Sequence, residues 1–139
     1  MPSDDDEMNE QLPTILGVGS AVVNLVTLTA VGEIALENVV FGGVAGLLAG
    51  VGGFLCIPWF LRVSAAQDAD DADQVPFREL LDQVPGNPQV GVFGLGLELG
   101  GIVMLAVGFA IGPDLVAGTA AGLAVALAVY LAGSFALSR

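Results

Sequence analysis

The sequence VVFGGVAGLLAGVGGFLCIPWFL, residues 39–61, contains no charged residue. It is long enough to cross a membrane, because a helix needs about 20 residues to span the roughly 30 Å hydrocarbon core of a bilayer. Residues 13–31, 90–111 and 115–137 have similar length and character, and Glu98 is the one charged residue among the four stretches. The sequence therefore predicts an all-α, four-helix transmembrane bundle.

The segments outside these stretches are too short for a globular catalytic domain. Residues 1–12 are predicted to be a disordered acidic cytoplasmic tail, because low hydrophobicity and high charge oppose folding. Residues 13–139 are predicted to form the four-span membrane domain, with an acidic cytoplasmic loop at residues 62–89. We expect the first turn at residues 32–38 and the end of the second helix at residues 58–62.

The charge balance is strongly acidic, with 15 Asp and Glu residues, three Lys and Arg, no His and a net charge of -12. This balance argues against binding nucleic acid or anionic lipid headgroups, because both favour basic patches. At molar salt the Debye length falls to about 3 Å, so repulsion among the carboxylates is screened. The composition resembles that of halophilic archaeal proteins, which implies a salt-rich habitat and no particular activity.

Orientation follows from the three arginines. With four spans, Arg62, Arg78 and Arg139 share one side of the membrane. Since Lys and Arg favour the cytoplasmic side, we expect a multi-pass protein of the cell membrane with both termini cytoplasmic. Trp59 and Arg62 are predicted to form an interfacial anchor, because Trp favours the boundary between lipid and water.

Small residues recur at intervals of four in the second and fourth stretches. The predicted helix-packing positions are Gly42, Gly46, Gly50, Gly118 and Gly122. Residues four apart share a helix face, and small residues there let helices approach closely in lipid. We expect these rows to pack helices within the chain. The lipid bilayer is the expected surrounding, and a homo-oligomer or a larger membrane protein complex stays open.

A shift of 76 residues matches Gly42 with Gly118, and it also matches Asn38 with Asp114. The shift suggests two repeated helical hairpins of the same orientation, related by an axis along the membrane normal. Chance similarity between segments rich in Ala, Val, Gly and Leu is the alternative, and the sequence alone does not decide between them.

Glu98 is the sharpest chemical signal in the chain. It lies about 12 Å into the third span at 1.5 Å per residue, where an ionised aspartate costs about 2.5–3.5 kcal/mol on insertion scales. We therefore expect Glu98 to face other helices and to have a polar partner. Tyr130 is the predicted partner, because it falls at nearly the same depth on an antiparallel fourth helix. Asn24 completes the predicted intramembrane polar cluster.

Two functions stay open for this cluster. Hydrogen bonds between helices suit a structural or accessory membrane protein that packs with itself or with a larger complex. A relay suits a small proton- or cation-linked transporter or channel subunit using Glu98. An enzyme is not expected, because the chain has no histidine and Cys56 is its single cysteine. For the same reason we expect neither a cofactor nor a metal site.

Overall fold

A computed structural model describes residues 4–69, 79, 81–82 and 84–138 of the chain. These residues contain four long helices: α1 (Asp4–Leu36), α2 (Val39–Ala69), α3 (Pro88–Ile111) and α4 (Leu115–Ser138). Each contains a stretch long and apolar enough to cross a membrane. The predicted all-α, four-helix fold is therefore confirmed, and the chain is a multi-pass membrane protein.

The first helix is longer than its predicted span at both ends. It begins at Asp4, inside residues 1–12 that were expected to be disordered, and it continues to Leu36 through the expected turn at residues 32–38. Most of this helix is the apolar span Gln11–Leu36.

The turn between α1 and α2 consists of Glu37 and Asn38. Glu37 has a left-handed backbone with φ of 53°, and the amide of Asn38 donates to the carbonyl of Gly32 at 3.0 Å. The side-chain oxygen of Asn38 accepts from the amide of Phe41 at 2.9 Å and so caps α2. Such a short turn places α1 and α2 side by side and antiparallel.

The second helix also passes its predicted end at residues 58–62 and continues to Ala69. Val63 in this extension is buried together with Val84 of the following loop, and Leu81 packs on the same cluster. These apolar contacts pack the extension of α2 against the following loop. Of the predicted loop and C-terminus, Arg78 and Arg139 lie outside the described residues.

The helices pack in chain order, α1 against α2, α2 against α3 and α3 against α4, whereas α1 and α4 make no comparable contact. Within the most apolar windows, 11% of α1 and 17% of α4 is buried, against 44% of α2 and 50% of α3. The bundle is therefore open. Its two edges are α1 and α4, and both leave most of their surface to lipid.

The largest fully buried side chains lie where α2, α3 and α4 meet. Phe41 and Met104 are fully buried there, with Ala45 and Leu105 in the same cluster. A Cβ placed at Gly118 would come within 2.6 Å of the Phe41 ring, so the ring occupies space that the glycine leaves. Packing of this kind holds helices together in lipid, where no hydrophobic drive acts between them.

Candidate functional site

A hydrogen bond between α1 and α3 forms the centre of the candidate site. Nδ2 of Asn24 donates to Oε1 of Glu98 at 3.3 Å. The same nitrogen donates to the backbone carbonyl of Ala49 on α2 at 3.2 Å. An amide nitrogen has two protons to donate, so Asn24 links all three helices with one side chain.

A pair of glycines on α2 allows Asn24 and Glu98 to meet. A Cβ at Gly53 would lie 2.6 Å from Oγ of Ser20 and 3.1 Å from Nδ2 of Asn24, both on α1. A Cβ at Gly52 would lie 2.8 Å from Cα of Glu98 on α3. Because neither Gly52 nor Gly53 has a side chain, α2 is thin at this level, and α1 and α3 approach it closely from different sides.

The Glu98 carboxyl group is half-buried and has a neutral amide as its partner. Arg62 is the one arginine among the described residues, and it lies at the opposite end of α2 from the turn at Glu37 and Asn38, about three turns beyond Gly52 in the chain. An amide donor satisfies an oxygen of either a carboxylate or a neutral carboxylic acid. The arrangement can therefore hold the three helices together in either form of the carboxyl group.

Tyr130 is not part of this cluster, which corrects the predicted pairing. Its ring packs edge-on against Phe93, with centroids 5.9 Å apart and planes at 90°. Together with Asn87, Gln89 and Leu127 it lines a shallow cleft between α3 and α4. Within the described part of the chain, no hydrogen bond joins Tyr130 to Glu98.

The face that α3 presents to α4 explains the difference. A Cβ at Gly96 would lie 2.6 Å from the carbonyl of Ala126, and one at Gly100 would lie 2.5 Å from that of Gly122. Glu98 is two residues from each glycine, which corresponds to a rotation of about 200° around a helix with 3.6 residues per turn. It therefore points towards α2 and away from Tyr130.

The predicted packing glycines all lie in contacts between helices of the chain. Gly42, Gly46 and Gly50 face α1, where an added Cβ would come within 2.6–2.8 Å of backbone carbonyls. Gly122 faces the backbone of Gly100 on α3, where an added Cβ would lie 2.7 Å from the carbonyl oxygen. Gly118 faces side chains, with an added Cβ 2.6 Å from the Phe41 ring of α2 and 3.2 Å from Met104 of α3. Their rows pack α1 on α2 and α4 on α3.

The interface between α2 and α3 depends on glycines outside these rows. Gly52 was missed by the sequence reasoning, as was Gly94, where a Cβ would lie 2.7 Å from the amide nitrogen of Cys56. The signal for this interface was the adjacent pair Gly52 and Gly53. Neighbouring positions in a helix point about 100° apart. Two adjacent glycines therefore leave space for close contact with two different helices, one at each position.

Trp59 and Arg62 lie together at the Arg-bearing end of α2. The Trp59 ring rests on Gly91, whose Cβ position would be 2.6 Å from Cγ of the ring. Both side chains line a cleft of about 270 Å³ that also includes Thr14 and Asn87. Trp59 therefore packs α2 against the start of α3, whereas Arg62 is exposed.

Groups that could hold a metal ion were sought among the described residues, and no set of three Asp, Glu, Cys or His side chains is close enough there. Cys56 is a free, half-buried cysteine. No model of a protein family matches the chain, and neither curated proteins nor solved structures include a similar one.

Proposed function

We propose that the protein is a small structural or accessory membrane protein, without enzymatic activity, that packs with itself or with a larger membrane complex. The observation that supports this function is the open bundle. Only 11% of the apolar window of α1 and 17% of that of α4 is buried, so both edges offer whole helix faces to other spans. Helices in lipid associate through such faces by close packing and interhelical hydrogen bonds.

Purification in mild detergent from the native membrane tests this function. Two differently tagged copies are produced together, one tag is captured, and the captured material is examined for the second tag and for other proteins. We expect a partner in stoichiometric amount, either a second copy or another membrane protein. Capture of single chains alone, both in detergent and after transfer to lipid nanodiscs, would overturn the proposal.

The bond between Asn24 and Glu98 favours a second candidate, a proton- or cation-linked transporter or channel subunit. Intramembrane carboxyl groups commonly mark ion or proton pathways. Reconstitution into liposomes with a pH-sensitive dye tests this candidate with Glu98→Gln, which keeps an oxygen for Asn24 but removes the titratable proton. Glu33→Gln, at an exposed site near the end of α1, is the control. Loss of proton flux in Glu98→Gln alone supports a relay, and unchanged flux eliminates it.

We further propose that the protein lies in the cell membrane of a halophilic archaeon, with both termini cytoplasmic. The composition supports the habitat, and the position of Arg62 supports the orientation. Labelling with a membrane-impermeant maleimide tests the orientation in a Cys56→Ser background. A cysteine in place of Gln67 should react only in opened cells, and one in place of Glu33 should react in intact cells. The reverse pattern would invert the topology.

A further inference from the structure

The two helical hairpins repeat the same capping bonds at a distance of 76 residues. Oδ1 of Asn38 accepts from the amide of Phe41 at 2.9 Å, and Oδ1 of Asp114 accepts from the amide of Ala117 at 2.9 Å. Donor and acceptor are both shifted by the same 76 positions. The match between the hairpins therefore extends from sequence to hydrogen bonding.

The packing inside each hairpin repeats as well. A Cβ at Gly46 would lie 2.8 Å from the carbonyl of Leu25 and 3.3 Å from that of Asn24, and one at Gly122 would lie 2.7 Å from the carbonyl of Gly100. Gly122 follows Gly46 by 76 residues, and Gly100 follows Asn24 by the same number. In both hairpins the second helix therefore packs on the first in registers that agree to within one residue.

The face of α2 that binds α3 has an equivalent on α4. Gly52 and Cys56 belong to this face, since they contact Glu98 and Gly94 of α3. The equivalent residues on α4, again 76 positions later, are Ala128 and Ala132. Both alanines are exposed on the open edge of the bundle.

The face of α3 that binds α2 has an equivalent on α1. Gly94 and Glu98 correspond to Val18 and Val22, which lie 76 positions earlier. Val18 is 48% exposed and Val22 is 55% exposed. The positions equivalent to the two halves of the interface that joins the hairpins thus lie exposed on opposite edges of the same chain, with apolar residues at all four.

We propose that a second copy of this chain docks its α1 on the α4 edge, in the register that α2 and α3 use inside the chain. Val22 of one copy then lies against Ala128 of the other, and Val18 lies against Ala132. Ala128 and Val18 stand where the contact between α2 and α3 has Gly52 and Gly94. The two helices therefore lie further apart than α2 and α3 do, and the branched valines of α1 pack on the small alanines of α4. This inference rests on the proposed structural function and names its partner and surface.

The contact has two geometric consequences. The α1 and α4 helices would be antiparallel, as α2 and α3 are, so all copies keep the same orientation in the membrane. The surfaces on the two sides differ, so the association is head-to-tail. Such interfaces build rings when the rotation closes and open chains when it does not.

Disulfide cross-linking in the bilayer tests the contact in a Cys56→Ser background. Val18→Cys and Ala132→Cys are combined in one chain, which is then oxidised in native membranes. The two positions lie on opposite edges of the bundle, so a link between them joins different copies. We expect a ladder of dimers, trimers and larger species. Val18→Cys combined with Leu131→Cys, an adjacent position that is 58% exposed, is the control and should give little product.

The single-cysteine variants separate this arrangement from a symmetric dimer. Neither Val18→Cys nor Ala132→Cys alone should cross-link efficiently in a head-to-tail contact. Efficient dimers from one of them, or equal ladders from the test and control pairs, would overturn the proposal. If differently tagged copies still capture one another in that case, the structural function survives and only this surface is wrong. If no partner of any kind is captured, the structural function fails too.

Discussion

Asn24 and Glu98 are joined by a hydrogen bond of 3.3 Å although they belong to α1 and α3, two helices that otherwise scarcely touch. The bond is made at the level where α2 has Gly52 and Gly53 in succession. Polar groups in the hydrocarbon region must find partners within the protein, since no water is available there. The two glycines of α2 therefore leave the space in which Asn24 and Glu98 form their hydrogen bond.

A methyl group at Gly52 is expected to disturb the close approach of α3 to α2. In Gly52→Ala the new Cβ would lie 2.5 Å from the carbonyl oxygen of Gly94 and 2.8 Å from Cα of Glu98. Overpacking of this kind typically costs about 1–3 kcal/mol. Unfolding in detergent micelles, followed by circular dichroism, measures the loss.

Gly43→Ala is the matched control for Gly52→Ala. The atom nearest to a Cβ at Gly43 is Oγ1 of Thr29 at 3.9 Å, an ordinary contact. Because alanine favours a helix by about 1 kcal/mol over glycine, this variant should be as stable as the parent or more so. Equal stability of Gly52→Ala and Gly43→Ala would contradict the close approach of α2 and α3.

A double-mutant cycle should detect coupling between Asn24 and Glu98. Asn24→Ala, Glu98→Ala and the double variant are compared with the parent by their free energies of unfolding in bicelles. Interhelical hydrogen bonds in membranes are worth about 0.6 kcal/mol on average and up to about 1.7 kcal/mol, so a coupling in this range is expected. Additive effects of the two substitutions would show that the bond contributes nothing to stability.

Removal of the Tyr130 hydroxyl should have little effect. The ring of Tyr130 packs on Phe93, and Tyr130→Phe keeps that contact. Substitutions of this kind usually change stability by less than about 0.5 kcal/mol. The same unfolding assay measures it, and a loss as large as that of Asn24→Ala would return Tyr130 to the polar cluster.

The two capping residues are expected to be interchangeable. Asn38→Ala and Asp114→Ala should each lower the free energy of unfolding by about 1 kcal/mol, because each removes an N-cap acceptor. Asn38→Asp and Asp114→Asn keep an acceptor oxygen and should retain most of the stability. If these exchanges cost as much as alanine, the caps of the two hairpins are not equivalent.

Stability should rise with salt, since the net charge is -12 and added salt screens repulsion among carboxylates. The midpoint of thermal unfolding, measured between low and molar KCl, is expected to increase. A variant with Asp68→Asn, Glu79→Gln and Asp82→Asn loses three exposed charges and should depend less on salt. If the unfolding midpoint of this variant depended on salt as strongly as that of the parent, the stabilisation would come from salting-out of apolar surface and not from charge screening.

The spans themselves could be predicted from the sequence, because their length and lack of charge are set by the thickness of a bilayer. Their ends could not. α1 continues to Leu36 because Glu37 alone takes the left-handed conformation of the turn, in place of the glycine that commonly ends a helix. α2 continues to Ala69, and Val63 in this extension packs on Val84 across a loop. Local sequence periodicity does not specify which residues pair across a loop.

For the candidate site, the depth of Glu98 along α3 could be estimated, but not the direction in which it points. Depth follows from counting residues, whereas direction depends on which face of α3 binds which neighbour. Gly96 and Gly100 already marked one face, and Glu98 lies opposite to it. Had that face been assigned to α4, Asn24 would have been preferred over Tyr130 as the partner.

The bond from Asn24 to the carbonyl of Ala49 bears on the order in which the chain enters the bilayer. Both residues belong to the first hairpin, so this bond can form before the ribosome has made α3. During synthesis the asparagine therefore already has an acceptor within its own hairpin. Glu98 then arrives at a donor whose position is fixed, and the second hairpin can align on the first as it inserts.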